Sequence, residues 1–96
     1  MSQQQFQSVV IEVLSEIQKL SGRKLSGLTP DATPIGDFEG FDSLSAIEAT
    51  VMIEEKLDCE LGVDSVFISE SGKRALTVRE IAERLTKLVQ AKAGKG

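Results

Sequence analysis

Gly40-Phe-Asp-Ser-Leu-Ser-Ala-Ile-Glu-Ala-Thr-Val-Met-Ile-Glu-Glu-Lys-Leu-Asp-Cys-Glu-Leu61 carries more helical order than a structural core requires. Wound at about 100° per residue, it gathers Ala46, Ala49, Thr50, Ile53 and Leu57 on one side, small and apolar and suited to close packing against other helices. The opposite side collects Leu44, Ile47 and Val51 among Glu48, Glu54, Glu55 and Asp58. A solvated helix face is polar along its whole length, so an apolar strip set among carboxylates marks a surface for a partner. At the head of this helix Asp42 falls at the N-cap, where its carboxylate accepts a hydrogen bond from an orphan backbone N–H. Ser43 then sits exposed in the first turn. The positive dipole end of a helix accommodates phosphate, which makes Ser43 chemically suited to carry a phosphodiester.

Outward from this stretch, two further long helices are predicted. Upstream, Phe6, Val9, Val10, Val13, Leu14, Ile17 and Leu20 follow the i, i+3, i+4, i+7 template, and Gly22 supplies the stop. Downstream, Thr77-Val-Arg-Glu80 fits a capping box opening a helix whose apolar face is Val78, Ile81, Ala82, Leu85, Leu88 and Val89. Residues 91–96 lose that pattern and are expected to form a disordered tail. Between the first two long helices, Gly22, Gly27, Pro30, Pro34, Gly36 and Gly40 define a long loop, anchored by Leu25, Leu28, Ile35, Phe38 and Phe41. Between the second and third, Val63, Val66, Phe67 and Ile68 form either a short turn of helix or an apolar tether, and a short extra helix is expected there. The whole predicts one all-α domain over residues 1–96: a small four-helix bundle with three long helices, one short helix and a long first loop.

Composition narrows the function. A formal charge of −4 disfavours nucleic-acid binding, which needs a basic stripe. The charge is uneven: residues 42–61 hold six carboxylates against Lys56, a net −5, which steers basic surfaces toward this helix. Cys59 is the single cysteine, read as half-buried near the helix end. The absence of His removes the usual base for Ser or Cys catalysis and the commonest zinc ligand. No apolar run approaches the length of a membrane span and the N-terminus has no apolar leader pattern, so the expected location is cytoplasmic, without membrane insertion.

At Asp42-Ser43-Leu44 the chain resembles the acyl carrier protein family, whose Asp-Ser-Leu motif opens a recognition helix. The resemblance continues in Glu48, five residues after the serine, in the Glu54-Glu55 pair, and in Glu60-Leu61. Ser45 stands where many members have Asp, and Lys56 interrupts the acidic run. The resemblance implies a four-helix bundle of acyl-carrier type with 4'-phosphopantetheine attached covalently to Ser43, flanked by Asp42 and Leu44. It implies a non-catalytic, monomeric carrier holding acyl groups as thioesters for fatty-acid or related lipid and polyketide synthesis. Its partners would be a phosphopantetheinyl transferase and acyl-loading and acyl-processing enzymes whose basic surfaces dock on Leu44, Ile47, Glu48, Val51, Glu54 and Glu55.

Other readings compete. Peptidyl carriers generally place His before the serine, and Asp42 here favours acyl or D-alanyl cargo, so an aminoacyl carrier is the nearest alternative. An unmodified acidic interaction module is an alternative of another class. Asp64-Ser65-Val66 copies the short motif, but Gly72 and its neighbouring serines end any helix after it, making Ser65 a local turn residue. Asp37, Glu39 and Glu48 occupy three positions of a notional calcium loop that lacks its glycine.

Overall fold

The computed structural model describes residues 2–23 and 28–93. Four helices follow in order: α1 (Gln3–Leu20), α2 (Pro34–Asp37), α3 (Ser43–Leu57) and α4 (Val78–Ala93). The described residues form no strand, and Ile68 and Ala75 make one isolated antiparallel bridge. The fold is the small all-helical bundle that the resemblance implies, with three long helices and one short one among the described residues and a long first loop.

α1 is the central element, packed against both α4 and α3. It begins earlier than its apolar stripe, because Ser2 and Gln5 form a capping box: the Gln5 N–H donates to Ser2 Oγ (3.3 Å) and the Ser2 N–H to Gln5 Oε1 (2.7 Å). It ends in a Schellman motif, with the Arg23 N–H donating to the Gln18 carbonyl (2.9 Å) and that of Gly22 to Lys19 (3.1 Å). Gly22 takes the left-handed conformation (φ 67°) that this motif needs. Phe6, Val10, Val13, Leu14 and Ile17 are buried with Ala46, Ala49 and Ile53 of α3 and Val78, Ile81, Ala82 and Leu85 of α4.

One part of the predicted stripe is corrected. Leu20 is 84% exposed, whereas Gln18 is fully buried. α1 ends one residue after Lys19, beyond the reach of the core. Gln18 lies four residues after Leu14, on the buried side, where its amide Nε2 donates to the Glu39 carbonyl (3.0 Å) and so enters the interior with a partner.

The first loop is tied down at several points. Ala32, Phe38 and Phe41 are buried and Leu28 and Ile35 half-buried, while the expected anchor Leu25 and Gly27 lie outside the described residues. α2 is a single irregular turn: Pro34 starts it, the Asp37 carboxylate accepts the Thr33 N–H (2.7 Å), and Ile35 and Gly36 leave helical dihedrals. Loop carbonyls also satisfy the head of α4, since Ala32 accepts the Val78 N–H and Pro30 that of Arg79, both at 2.9 Å. The Thr77–Glu80 capping box is present, with the Thr77 N–H on Glu80 Oε1 (2.9 Å) and the Glu80 N–H on Thr77 Oγ1 (3.2 Å). The orphan N–H groups of that first turn are therefore shared between a side chain and a loop.

The short helix expected between α3 and α4 is absent; the one short helix lies in the first loop. Residues 62–76 take the other option, an apolar tether. Val66 and Phe67 are fully buried, and the Phe67 ring meets Phe41 with centroids 5.3 Å apart. Side chains satisfy the tether's backbone where a helix would satisfy its own. Thr50 Oγ1 accepts the Val66 N–H (3.1 Å), Ser65 Oγ that of Phe67 (3.1 Å), and Arg84 Nη1 donates to the carbonyls of Ser65 (2.7 Å) and Ile68. α4 continues to Ala93, beyond the point where its apolar pattern stops; residues 94–96 of the expected tail lie outside the described residues.

Candidate functional site

The site is built at the head of α3. Asp42 is its N-cap, with extended backbone and Oδ1 accepting the Ser45 N–H at 2.9 Å. That backbone hydrogen bond holds the Asp42 carboxyl below its ordinary range. Ser43 is the first helical residue and is exposed. Among the described residues its hydroxyl has no hydrogen-bond partner. The Ser45 hydroxyl, by contrast, turns back toward the Gly40 carbonyl (3.5 Å).

The two faces of α3 separate as the helical wheel requires. Ala46, Ala49, Thr50 and Ile53 are buried and Leu57 half-buried; Leu44, Ile47 and Val51 are exposed by 66%, 41% and 47%. These three are large hydrophobic side chains in water, next to exposed Glu48 and Glu55. Glu54 behaves differently, being half-buried and accepting the Leu61 N–H (2.8 Å), which secures the chain as it leaves the helix. A shallow groove of about 320 Å³ is lined by Val51, Glu54, Glu55, Asp58, Cys59 and Glu60. Cys59 is half-buried there, and Asp58 ends the helix in the left-handed conformation (φ 51°).

Lys56 does not neutralise this surface. Its ammonium reaches across to α1 and binds Glu12 (3.0 Å) and Glu16 (3.2 Å), and those two hydrogen bonds raise its pKa. The one cation of residues 42–61 thus serves as a strap between α1 and α3.

Two residues near the site escaped the sequence reading. Gln18 and Arg23 reach the segment before Ser43, where they bind the consecutive carbonyls of Glu39 (3.0 Å) and Gly40 (2.8 Å). Gly40 takes φ 70°, and a Cβ there would lie 2.8 Å from Arg23 Cδ and closer still to the guanidinium. A signal for Gln18 existed, since it sits on the α1 core side four residues after Leu14 and eight after Val10. Arg23 lies in a loop, where periodicity says nothing.

The rival Ser65 is committed to local structure, as expected: its hydroxyl accepts the Phe67 N–H and its carbonyl accepts Arg84. An exposed hydroxyl with no partner among the described residues, at the positive end of a 15-residue helix, is chemically compatible with a phosphodiester.

A family model described as phosphopantetheine attachment site matches residues 11–85. The match covers most of the chain, and the chain belongs to this family of phosphopantetheine-carrying proteins, in keeping with its resemblance to acyl carrier proteins. Members interact with phosphopantetheinyl transferase and with partner enzymes, and the domain is where 4'-phosphopantetheine is covalently attached. No curated protein and no solved structure matches the chain. No helix among the described residues is long and apolar enough to cross a membrane.

Proposed function

We propose that Ser43 is the attachment point and that the chain is a monomeric, cytoplasmic acyl carrier, a substrate of its partner enzymes rather than a catalyst. The observation that carries this reading is the contrast between the two Asp-Ser pairs. Ser43 is exposed, without a partner among the described residues and at the head of a long helix, while Ser65 is tied into a turn. In the transferase, the Ser43 Oγ–P bond forms as a P–O bond of the coenzyme A pyrophosphate breaks; adenosine 3',5'-bisphosphate leaves and the hydroxyl proton passes to a base of the transferase. Asp42 supports this by pinning the first turn through the Ser45 N–H, so that the hydroxyl is presented from a rigid end. When bound, the arm supplies a terminal thiol on which acyl groups are carried as thioesters.

Docking follows from α3. Leu44, Ile47 and Val51 offer an apolar strip, and Glu48, Glu54 and Glu55 a negative rim that draws basic enzyme surfaces. The cargo proposed is an acyl group of fatty-acid or related lipid or polyketide synthesis. Asp42 before the serine supports this over peptidyl cargo, with D-alanyl as the neighbouring alternative. The test is to incubate the purified chain with a phosphopantetheinyl transferase, magnesium and coenzyme A, then map the product by peptide mass spectrometry. A gain of one phosphopantetheinyl group on the Ser43 peptide is expected; no gain, or a gain on the Ser65 peptide, overturns the assignment.

A further inference from the structure

The turn that presents Ser43 is held by the far end of another helix. Two successive carbonyls before Ser43, those of Glu39 and Gly40, accept hydrogen bonds from Gln18 Nε2 and Arg23 Nη1. The backbones of these two residues are themselves linked, because the Arg23 N–H donates to the Gln18 carbonyl in the Schellman motif that ends α1. The Arg23 side chain also lies against Gly40, in the space a Cβ would need. The Gly40 carbonyl is the same one toward which the Ser45 hydroxyl turns from the first turn of α3.

We propose that Arg23 is a positioning residue for the modification of Ser43: it fixes the Gly40-Phe41-Asp42 turn against α1 and so sets where the serine hydroxyl meets the transferase. The role rests on Ser43 being the attachment point. It acts on the approach of the hydroxyl to phosphorus and leaves the docking face untouched, since Leu44, Ile47, Glu48 and Val51 take no hydrogen bond from Arg23. A displaced nucleophile lowers turnover far more than association, and a misplacement of about 1 Å costs up to roughly a hundredfold. Arg23→Gln is therefore expected to lower kcat of the transferase for this carrier by about tenfold while KM for the carrier stays within about twofold. Arg23→Lys, which keeps a cationic donor for the Gly40 carbonyl, is expected to recover most of that loss.

The experiment measures transferase kcat and KM with wild type, Arg23→Gln, Arg23→Lys and Gly40→Ala, with helix content followed by circular dichroism. Gly40→Ala must push the guanidinium aside and is expected to imitate Arg23→Gln. Unchanged kcat in Arg23→Gln overturns the proposal, and so does a change confined to KM. Should Arg23→Gln lose its helix content, Arg23→Lys decides on the same readout: a kcat near wild type supports the role and a tenfold loss overturns it. Wild type that is modified elsewhere than on Ser43, or not at all, refutes instead the attachment reading beneath it.

Discussion

The Thr50 hydroxyl joins α3 to the tether: it donates to the Ala46 carbonyl at 2.8 Å and accepts the Val66 N–H at 3.1 Å, with Thr50 and Val66 both buried. Thr50→Val keeps the shape and strands the Val66 N–H, at a cost of about 1–3 kcal/mol. For a domain of this size each kcal/mol lowers the melting temperature by roughly 4–8 °C. Thr50→Ser retains the hydroxyl and should lose less. Thermal melts of the two variants check this, and a Thr50→Val melt superimposable on wild type contradicts it.

The two Asp-Ser pairs respond in opposite ways. Ser43→Ala removes an exposed hydroxyl without a partner, so modification should vanish while circular dichroism and melting stay close to wild type. Ser65→Ala leaves the Phe67 N–H without its acceptor and should cost about 1 kcal/mol while modification persists. Intact-mass measurements beside melts separate these outcomes.

The buried face of α3 and the face proposed for docking are expected to respond differently to substitution. Ile53→Ala opens a cavity in the core and should destabilise by about 2–5 kcal/mol. Val51→Ala alters a half-exposed surface side chain, should change stability by no more than about 0.5 kcal/mol, and should slow transfer. Equal melting losses for the two variants are the contrary result.

Under the proposed docking role, charge on that helix is expected to govern encounter. Glu48→Lys, and to a smaller degree Glu55→Lys, should lower the association rate with the transferase without altering helix content. Each exposed pair contributes only about 0.2–1 kcal/mol, and added salt should reproduce the loss in wild type. Stopped-flow rates for wild type and Glu48→Lys that coincide from low to high ionic strength would falsify this role.

Acid acts on the head of α4. The Arg74 guanidinium binds both carboxylate oxygens of Glu80, and with the Thr77 N–H it lowers the Glu80 pKa from 4.5 to about 2. A folded-state pKa below the unfolded one means that this stabilisation is complete above about pH 4.5 and is lost as the pH falls toward 2. Glu80→Gln should therefore melt lower than wild type at neutral pH, by an amount worth at most about 1 kcal/mol because the pair is partly solvated. The gap should close in acid. Melts from pH 7 to pH 2 in which the gap stays constant exclude the linkage.

What could be read in advance was local. Asp42 and the Thr77–Glu80 pair act over three residues, so their capping appears as a short motif. The faces of α3 follow from helical period alone, and the exposure of Leu44 and Val51 came with the burial of Ala49 and Ile53. The contacts that hold the site together join positions far apart in the chain: Gln18 to Glu39, Arg23 to Gly40, Lys56 to Glu12, and Thr50 to Val66. No pattern within one element announces them. Leu20 was misplaced because period says which side a residue faces and not where the neighbouring helix stops. The tether was half legible, since Val63, Val66, Phe67 and Ile68 mark burial but not the conformation in which burial occurs. Among its backbone partners are Thr50, Ser65 and Arg84, two of them outside the segment.

The bridge between Ile68 and Ala75 leaves a small tip, Glu70 to Lys73, with all four residues exposed. Its base is closed by the Ser69 N–H on the Arg74 carbonyl (2.8 Å) and the Arg74 N–H on Ser69 Oγ (3.3 Å). Lengthening a closed loop costs only about 0.6 kcal/mol for each doubling, and exposed tips of small and polar residues accept insertions best. The fold therefore carries a splice point at Ser71-Gly72, where an epitope or a fluorescent-dye acceptor peptide can be grafted while both chain ends and all of α3 keep their native sequence.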